Sequence, residues 1–287
     1  MTQPQLSTKT SASLCAAYLD LLENSLAFSL WPDPPELIQL SAYQSQSRLK
    51  WLAVSVLAKI AGLCGWQLAR LPATTDAERR EGRVWRQYPD TMVGKLRLAN
   101  IRQCVESVLA EGIPGDLIET GAWRGGACIY MRGILAAHGV NDRKVYVADS
   151  FEGLPVPDED KYPADKGDKH HLSEFLAVDI DAVKRNFARF NLLDDQVIFL
   201  KGWFKDTLPT APIEKISVLR LDGDMYGSTM DALTALYDRL SPGGFCIVDD
   251  YALEGCRKAV DEFRAERQVT ARLETIDWTG RFWRKPC

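Results

Sequence analysis

Between Gly94 and Arg267 the apolar positions switch repeatedly between a helical and an extended rhythm. Leu96, Leu98, Ile101, Val105, Val108 and Leu109 share one face of a helix predicted over 96–112, which Gly112 and Pro114 close. A strand over 116–119, a glycine-bearing loop over 121–126 and a helix over 127–138 follow. The pattern then predicts strands over 144–148, 197–200, 216–221 and 245–248, separated by helices over 175–191, 229–240 and 255–267. Ile216, Val218, Leu219 and Leu221 form the near-continuous aliphatic run of a central parallel strand covered on both faces. Strands alternating with helices predict an α/β fold with a doubly wound, mostly parallel sheet. The closing stretch TARLETIDWTGRFWRKP alternates around Thr279 and Gly280 and predicts an antiparallel hairpin.

The first ninety or so residues follow a different pattern. MTQPQLSTKT predicts a disordered start, and Leu14, Ala17, Tyr18, Leu21, Leu22 and Leu26 mark a helix over 11–30 that ends before WPDPPE. Residues 51–71 are almost wholly apolar or small up to Gln67. A membrane span needs about 20 such residues. Lys59, Gly62, Gly65 and Gln67 weaken insertion, which favours a buried or oligomer-forming helix over membrane contact. Residues 72–91 are polar, with DAERREGR as a solvated turn or short helix.

With 287 residues, 46% of them hydrophobic, the chain has material for one large domain or a domain with an appendage. Its net charge of −4 carries no long single-sign run, so no nucleic-acid partner is expected. Seven scattered cysteines without CxxC spacing fit reduced thiols, and the N-terminus lacks the basic and apolar regions of a secretory signal. Both readings point to the cytoplasm.

Acidic residues close several predicted strands, and ligands in such sheets bind outside the carboxyl ends of the strands. The central strand releases Asp222 and Asp224 around Gly223, and the next strand releases Asp249 and Asp250. Four carboxylates at two adjacent ends suggest a hard metal ion and proton abstraction, against the plainer reading of solvated turns or a helix cap by Asp224 near Ser228. Glu119 ends the first strand before GAWRGG, a GxxxGG loop rather than the GxGxxG of dinucleotide sites. Asp149 lies 30 residues after Glu119, where a carboxylate can accept both hydroxyls of a ribose. The pair suggests an adenosine-containing ligand, with a tight turn and a solvated aspartate as the alternative. The long polar loop after Asp149 has the character of an active-site cover and carries His170 and His171, which as a bland reading are exposed.

ETGAWRGG, DSFEGLP, KGWFKDTLP, LRLDGDMYGST and GGFCIVDDY, in that order, resemble the macrocin O-methyltransferase family, sugar O-methyltransferases of antibiotic pathways, over about residues 90–285. YLDLLENSL is similar to the family's N-terminal helix, whereas 51–68 departs from it as an insertion. The resemblance implies a class I, Rossmann-like methyltransferase fold with seven strands, the last reversed. The expected division is a methyltransferase domain over 92–287 and a helical extension or lid over 1–91, whose apolar segment 51–68 is expected at a subunit contact of a homo-oligomer, a dimer or tetramer, or over the acceptor. Glu119, Thr120, Gly121, Ala122 and Trp123 would line the methionine end of S-adenosylmethionine, Asp149 and Ser150 its ribose, and Gly202 and Trp203 its adenine. Asp222, Asp249 and Asp250 match the family's Mg²⁺ ligands. The base matches Asp224 or, in other members, His170. The expected partner is a small glycosylated molecule bearing a sugar hydroxyl. Three hard oxygen ligands without a thiolate or tight histidine pair disfavour zinc. An aromatic vicinal diol is the alternative acceptor, and a nicotinamide-dependent oxidoreductase, lacking GxGxxG and an evident YxxxK pair, is a more distant reading.

Overall fold

A computed structural model describes residues 11–37, 48–70, 74–84 and 88–287. The disordered start expected for 1–10 lies outside the described residues. At the centre is a seven-stranded sheet made of β3 (Asp116–Thr120), β4 (Val145–Asp149), β5 (Val197–Lys201), β6 (Ile216–Leu221), β7 (Leu240–Val248), β8 (Glu274–Thr275) and β9 (Arg281–Arg284). The order across it is β5-β4-β3-β6-β7-β9-β8. β3 to β7 pair in parallel, while β9 runs antiparallel to both β7 and β8, so the predicted hairpin forms the reversed edge. This is the class I methyltransferase fold. Because the strand order reverses between β3 and β6, their carboxyl ends flank the crevice where such sheets bind ligands.

Alternation along the strands divides the core between two faces. Leu117, Val145, Val147, Val218 and Ile247 pack against α1 (Ser11–Leu26), α4 (Lys95–Ala110), α5 (Gly126–Ala137) and α6 (Ile180–Arg189). Ile118, Tyr146, Leu219, Leu221 and Val248 face α8 (Tyr226–Leu236) and α9 (Glu254–Glu266) on the other side. All six residues of β6 are buried, as its aliphatic run requires. In α1, Leu19, Leu22 and Leu26 enter the first core at i, i+3 and i+7, each contributing ~1.5–3 kcal/mol by burial.

Several boundaries differ from the apolar pattern. The predicted helix over 175–191 begins only at Ile180, where the Asp179 side chain caps Ala182 N–H; residues 174–176 form a separate short turn. The helix predicted from 229 starts at Tyr226, because a carboxylate distant in sequence, Asp165, takes its first amides. A helical turn, α7 (Phe204–Thr207), follows Trp203 unpredicted.

Before Gly94 lie α1, the two-residue strands β1 (Glu36–Leu37) and β2 (Ala69–Arg70), paired antiparallel, α2 (Arg48–Leu63) and α3 (Asp76–Glu81). Thr75 and Glu78 close a capping box on α3, so DAERRE is a helix rather than a turn. In α2, from Trp51 onward, no side chain is buried within the chain, and Leu52, Val56, Leu57, Ile60 and Leu63 are exposed. Of the two expectations for this helix, burial within its own chain is thus corrected: Trp51, Val54, Ala58 and Ala61 on one face are only half-buried, and the remaining apolar surface is exposed. No helix among the described residues is long and apolar enough to cross a membrane.

Candidate active site

The carboxyl ends of β3, β4, β5, β6 and β7 surround two cavities. The larger, about 320 Å³, is lined by Gly121, Trp123, Asp149, Ser150, Gly202 and Trp203, with Asp222 and the cover loop completing its wall. The smaller, about 120 Å³, holds Glu119, Ala122, His170, Asp222, Asp224, Asp249 and Asp250. Trp123, Asp222 and Asp224 line both. Thr120 is buried beneath them, with its Oγ1 unpaired among the described residues.

The loop after β3 depends on Gly121. At φ 92° it adopts a conformation natural to glycine, and a Cβ there would lie 1.7 Å from the Asp222 carbonyl oxygen. That contact accompanies bonding between neighbouring strand tips: Asp222 N–H, after β6, donates to Thr120 O of β3, and Gly121 N–H, after β3, donates to Ala148 O of β4, both at 2.8 Å. Trp123 takes a left-handed φ of 48° without being glycine, and its indole Nε1–H donates to Phe175 O in the cover loop at 3.0 Å. Asp149 accepts from Ala122 N–H (2.7 Å), Trp123 N–H (3.2 Å) and Phe151 N–H (2.7 Å). Its carboxylate therefore fixes the loop as well as lining the larger cavity. Burial pushes its pKa above the ordinary carboxylate value, and those amides offset only part of the rise.

Arg220, the one charged residue inside β6, is fully buried and joins Glu119, Asp222 and Asp249; its Nη1 is 2.8 Å from Asp222 Oδ2. Arg97, from α4, bonds Asp249 Oδ2 from the other side and lies 2.9 Å from Asp277. Glu119 is 2% exposed and also accepts from the Cys128 thiol at 2.8 Å. Six carboxyl groups, Glu119, Asp222, Asp224, Asp249, Asp250 and Asp277, thus gather around two guanidiniums. Burial, and after it the excess of negative charge, shows in the acids. Burial, despite Arg220, pushes Glu119 up to about 7. Burial and neighbouring Asp222 push Asp224 up to about 7, and burial with Asp224 and Asp222 raises Asp250 well above the usual carboxylate range.

Carboxylate oxygens of Asp222, Asp249 and Asp250 lie within 4.8 Å of one another. Each oxygen has two lone pairs, so Asp249, bonded to both arginines, keeps accepting capacity toward the cavity. Three hard donors in a region short of positive charge are a fitting set for a divalent cation, with Arg97 and Arg220 orienting them from behind. Asp224, at a left-handed φ of 57°, donates its own N–H to Asp250 Oδ2 at 3.2 Å. It does not cap α8; Met225 occupies the cap position, and Asp165 supplies the carboxylate.

Arg97, Arg220, Asp277 and Asp165 belong to the site without being singled out by any motif of the linear chain. Arg220 carried a signal, a lone cation inside an otherwise aliphatic strand, whereas the others are distant in sequence from the groups they touch.

The family model of macrocin O-methyltransferases matches residues 15–285. Demethyldecarbamoylnovobiocin O-methyltransferase of Streptomyces niveus is 47% identical over 279 residues, 96% of each chain. 8-Demethyl-8-(2,3-dimethoxy-alpha-L-rhamnosyl)-tetracenomycin-C 4'-O-methyltransferase of Streptomyces olivaceus is 54% identical over 204 residues, 71% of this chain and 78% of that one. The solved structure of the O-methyltransferase NovP superposes with a TM-score of 0.79 at 45% identity, covering 95% of this chain and 100% of that one. This sheet, this edge and these matches together make the chain a member of the macrocin O-methyltransferase family and an O-methyltransferase.

Proposed function

We propose that the enzyme transfers the methyl group of S-adenosylmethionine to a hydroxyl of a sugar on a secondary metabolite or glycan, with Mg²⁺ held by Asp222, Asp249 and Asp250. The observation that carries this reading is the shared wall between the cavities: Trp123, Asp222 and Asp224 bound both, so a nucleoside beside Asp149 and a hydroxyl beside the acidic cluster would meet at it. The sugar is supported by the Streptomyces olivaceus relative, whose name specifies a rhamnosyl group.

Gly121 to Trp123 would take the methionine end of the donor, Asp149 and Ser150 the ribose, and Gly202 and Trp203 the adenine, since these line the larger cavity or its loop. Bound at the three aspartates, Mg²⁺ would lower the pKa of a hydroxyl and hold it, with positions left for a vicinal pair. Asp224 and His170, both facing the smaller cavity, are the groups available to take the hydroxyl proton, a role worth roughly 10² to 10⁴ in rate. Trp123, under the cover loop, keeps water from the donor.

Residues 1–91 would act as a helical extension over the methyltransferase domain and as the contact in a homo-oligomer. Among the described residues, twelve of the seventeen exposed large hydrophobics precede residue 92, a concentration that fits a protein interface. Seven free cysteines fit a cytoplasmic enzyme.

The test is titration with S-adenosylhomocysteine and NAD, followed by turnover of a rhamnosylated tetracenomycin with and without EDTA. S-adenosylhomocysteine should bind and NAD should not, and EDTA should stop turnover until Mg²⁺ is restored. Full activity in EDTA would remove the metal from the proposal.

A further inference from the structure

We propose that Asp168 is a positioning residue for His170, holding the imidazole so that Nδ1 keeps its proton and Nε2 is left bare toward the acidic cavity. The inference rests on the reading of the smaller cavity as the acceptor site.

Asp168 grips His170 twice. Its Oδ1 accepts the His170 backbone N–H at 2.8 Å, and its Oδ2 lies 2.7 Å from His170 Nδ1. An ionised carboxylate only accepts hydrogen bonds, so the Nδ1 contact requires the proton on Nδ1. In the neutral ring Nε2 is then the acceptor. A bond to the backbone two residues on would, by itself, be an ordinary turn device of a short polar side chain. The second bond, to the ring, adds control of tautomer and orientation.

This pair is also tied to the cluster it faces. Asp168 N–H donates to Asp165 O at 3.0 Å. The buried Asp165 carboxylate accepts Tyr226 N–H at 2.7 Å and Gly227 N–H at 2.8 Å, capping α8 directly after the loop that carries Asp222 and Asp224. A second tie, Tyr162 Oη–H donating to Asp231 at 2.5 Å, holds the same cover loop to α8. A Cβ on Gly227 would lie 2.5 Å from the Tyr162 ring, so the loop and helix meet closely. His170 is therefore located relative to the carboxylates by hydrogen bonds and not by an unsupported loop.

In the transfer step the acceptor hydroxyl gives its proton to His170 Nε2 while its oxygen lone pair bonds the methyl carbon. The carbon–sulfur bond breaks and its electron pair stays on sulfur, leaving a neutral thioether and an imidazolium that the Asp168 carboxylate stabilises.

The deciding experiment is long-range ¹H–¹⁵N spectroscopy of the full-length, histidine-labelled enzyme with S-adenosylhomocysteine, at a pH well above the titration range of free imidazole. Loss of the signal in His170→Asn assigns it. The wild type and Asp168→Glu should show the Nδ1–H tautomer, and Asp168→Asn should move the proton substantially to Nε2. An unchanged tautomer in Asp168→Asn overturns the proposal without reference to any acceptor. Binding of S-adenosylhomocysteine and a retained thermal midpoint verify that each variant is folded. With a rhamnosylated tetracenomycin as acceptor, Asp168→Asn should lower kcat at least about tenfold and leave KM for the methyl donor within about twofold. Wild-type turnover in His170→Asn would remove His170 as base, whereas an inactive His170→Asn beside a fully active Asp168→Asn would remove only the role of Asp168.

Discussion

Asp149 and Asp249 each close a buried parallel strand on the same edge of the sheet, yet their surroundings give them different work. Asp149 meets backbone amides of the loop after β3 and of its own turn. Asp249 meets two arginines and stands beside Asp222 and Asp250. A strand-end aspartate surrounded by amides is anchored to its loop by hydrogen bonds. One surrounded by other acids leaves a charge excess that a cation can relieve. The difference teaches that an acidic strand terminus marks a site only in proportion to what converges on it.

The comparison can be broken first at the acidic end. Asp250→Asn should reduce methyl transfer by about 10³ or more, if Mg²⁺ acts as proposed, while the thermal midpoint holds or rises because a crowded carboxylate has gone. A radiolabelled-methyl assay and a melt decide this, and substantial turnover would contradict the ligand assignment. Arg220→Met should cost about 3–5 kcal/mol, since Glu119, Asp222 and Asp249 lose a buried partner; denaturant unfolding measures it. A loss below about 1 kcal/mol would show that the cluster sheds its charge without the guanidinium.

At the other end, Asp149→Asn places an amide NH₂ against backbone donors and should cost about 1–3 kcal/mol while weakening S-adenosylhomocysteine binding by calorimetry. Equal affinity in the variant would separate loop anchoring from ligand binding. The smallest effect is pH dependence. Glu119 and Asp224, each pushed up to about 7 by burial, hold protons in the folded chain that the unfolded chain has released above the ordinary carboxylate range. Stability without metal should thus fall as pH rises toward 7. Over the same window Mg²⁺ affinity should rise, by up to about tenfold per pH unit for each proton displaced. Titrations at several pH values check the slope, and a flat profile would detach these two acids from the metal.

Much of this edge was legible in the linear chain. The aliphatic run of Ile216–Leu221 foretold a strand buried on both sides, and the glycines after Glu119 foretold a tight turn. The paired aspartates at the ends of β6 and β7 converge because parallel neighbours end together at the same edge. Arg97 and Asp277 were hidden because they are 180 residues apart and pair only once α4 and the terminal hairpin pack on β7. The start of α8 was misplaced because its capping carboxylate, Asp165, belongs to a different loop. For α2, apolar periodicity marked a helix but not what would cover it, since burial is a property of neighbours.

The sequence alone determined the alternation of strands and helices, the reversed hairpin and the acidic strand ends, because side-chain periodicity and backbone preferences act over a few residues. The tertiary structure decided which acids are anchored and which are crowded. Coulomb attraction, desolvation and hydrogen bonding depend on distances in space, and those were set only when distant segments met around the edge of the sheet.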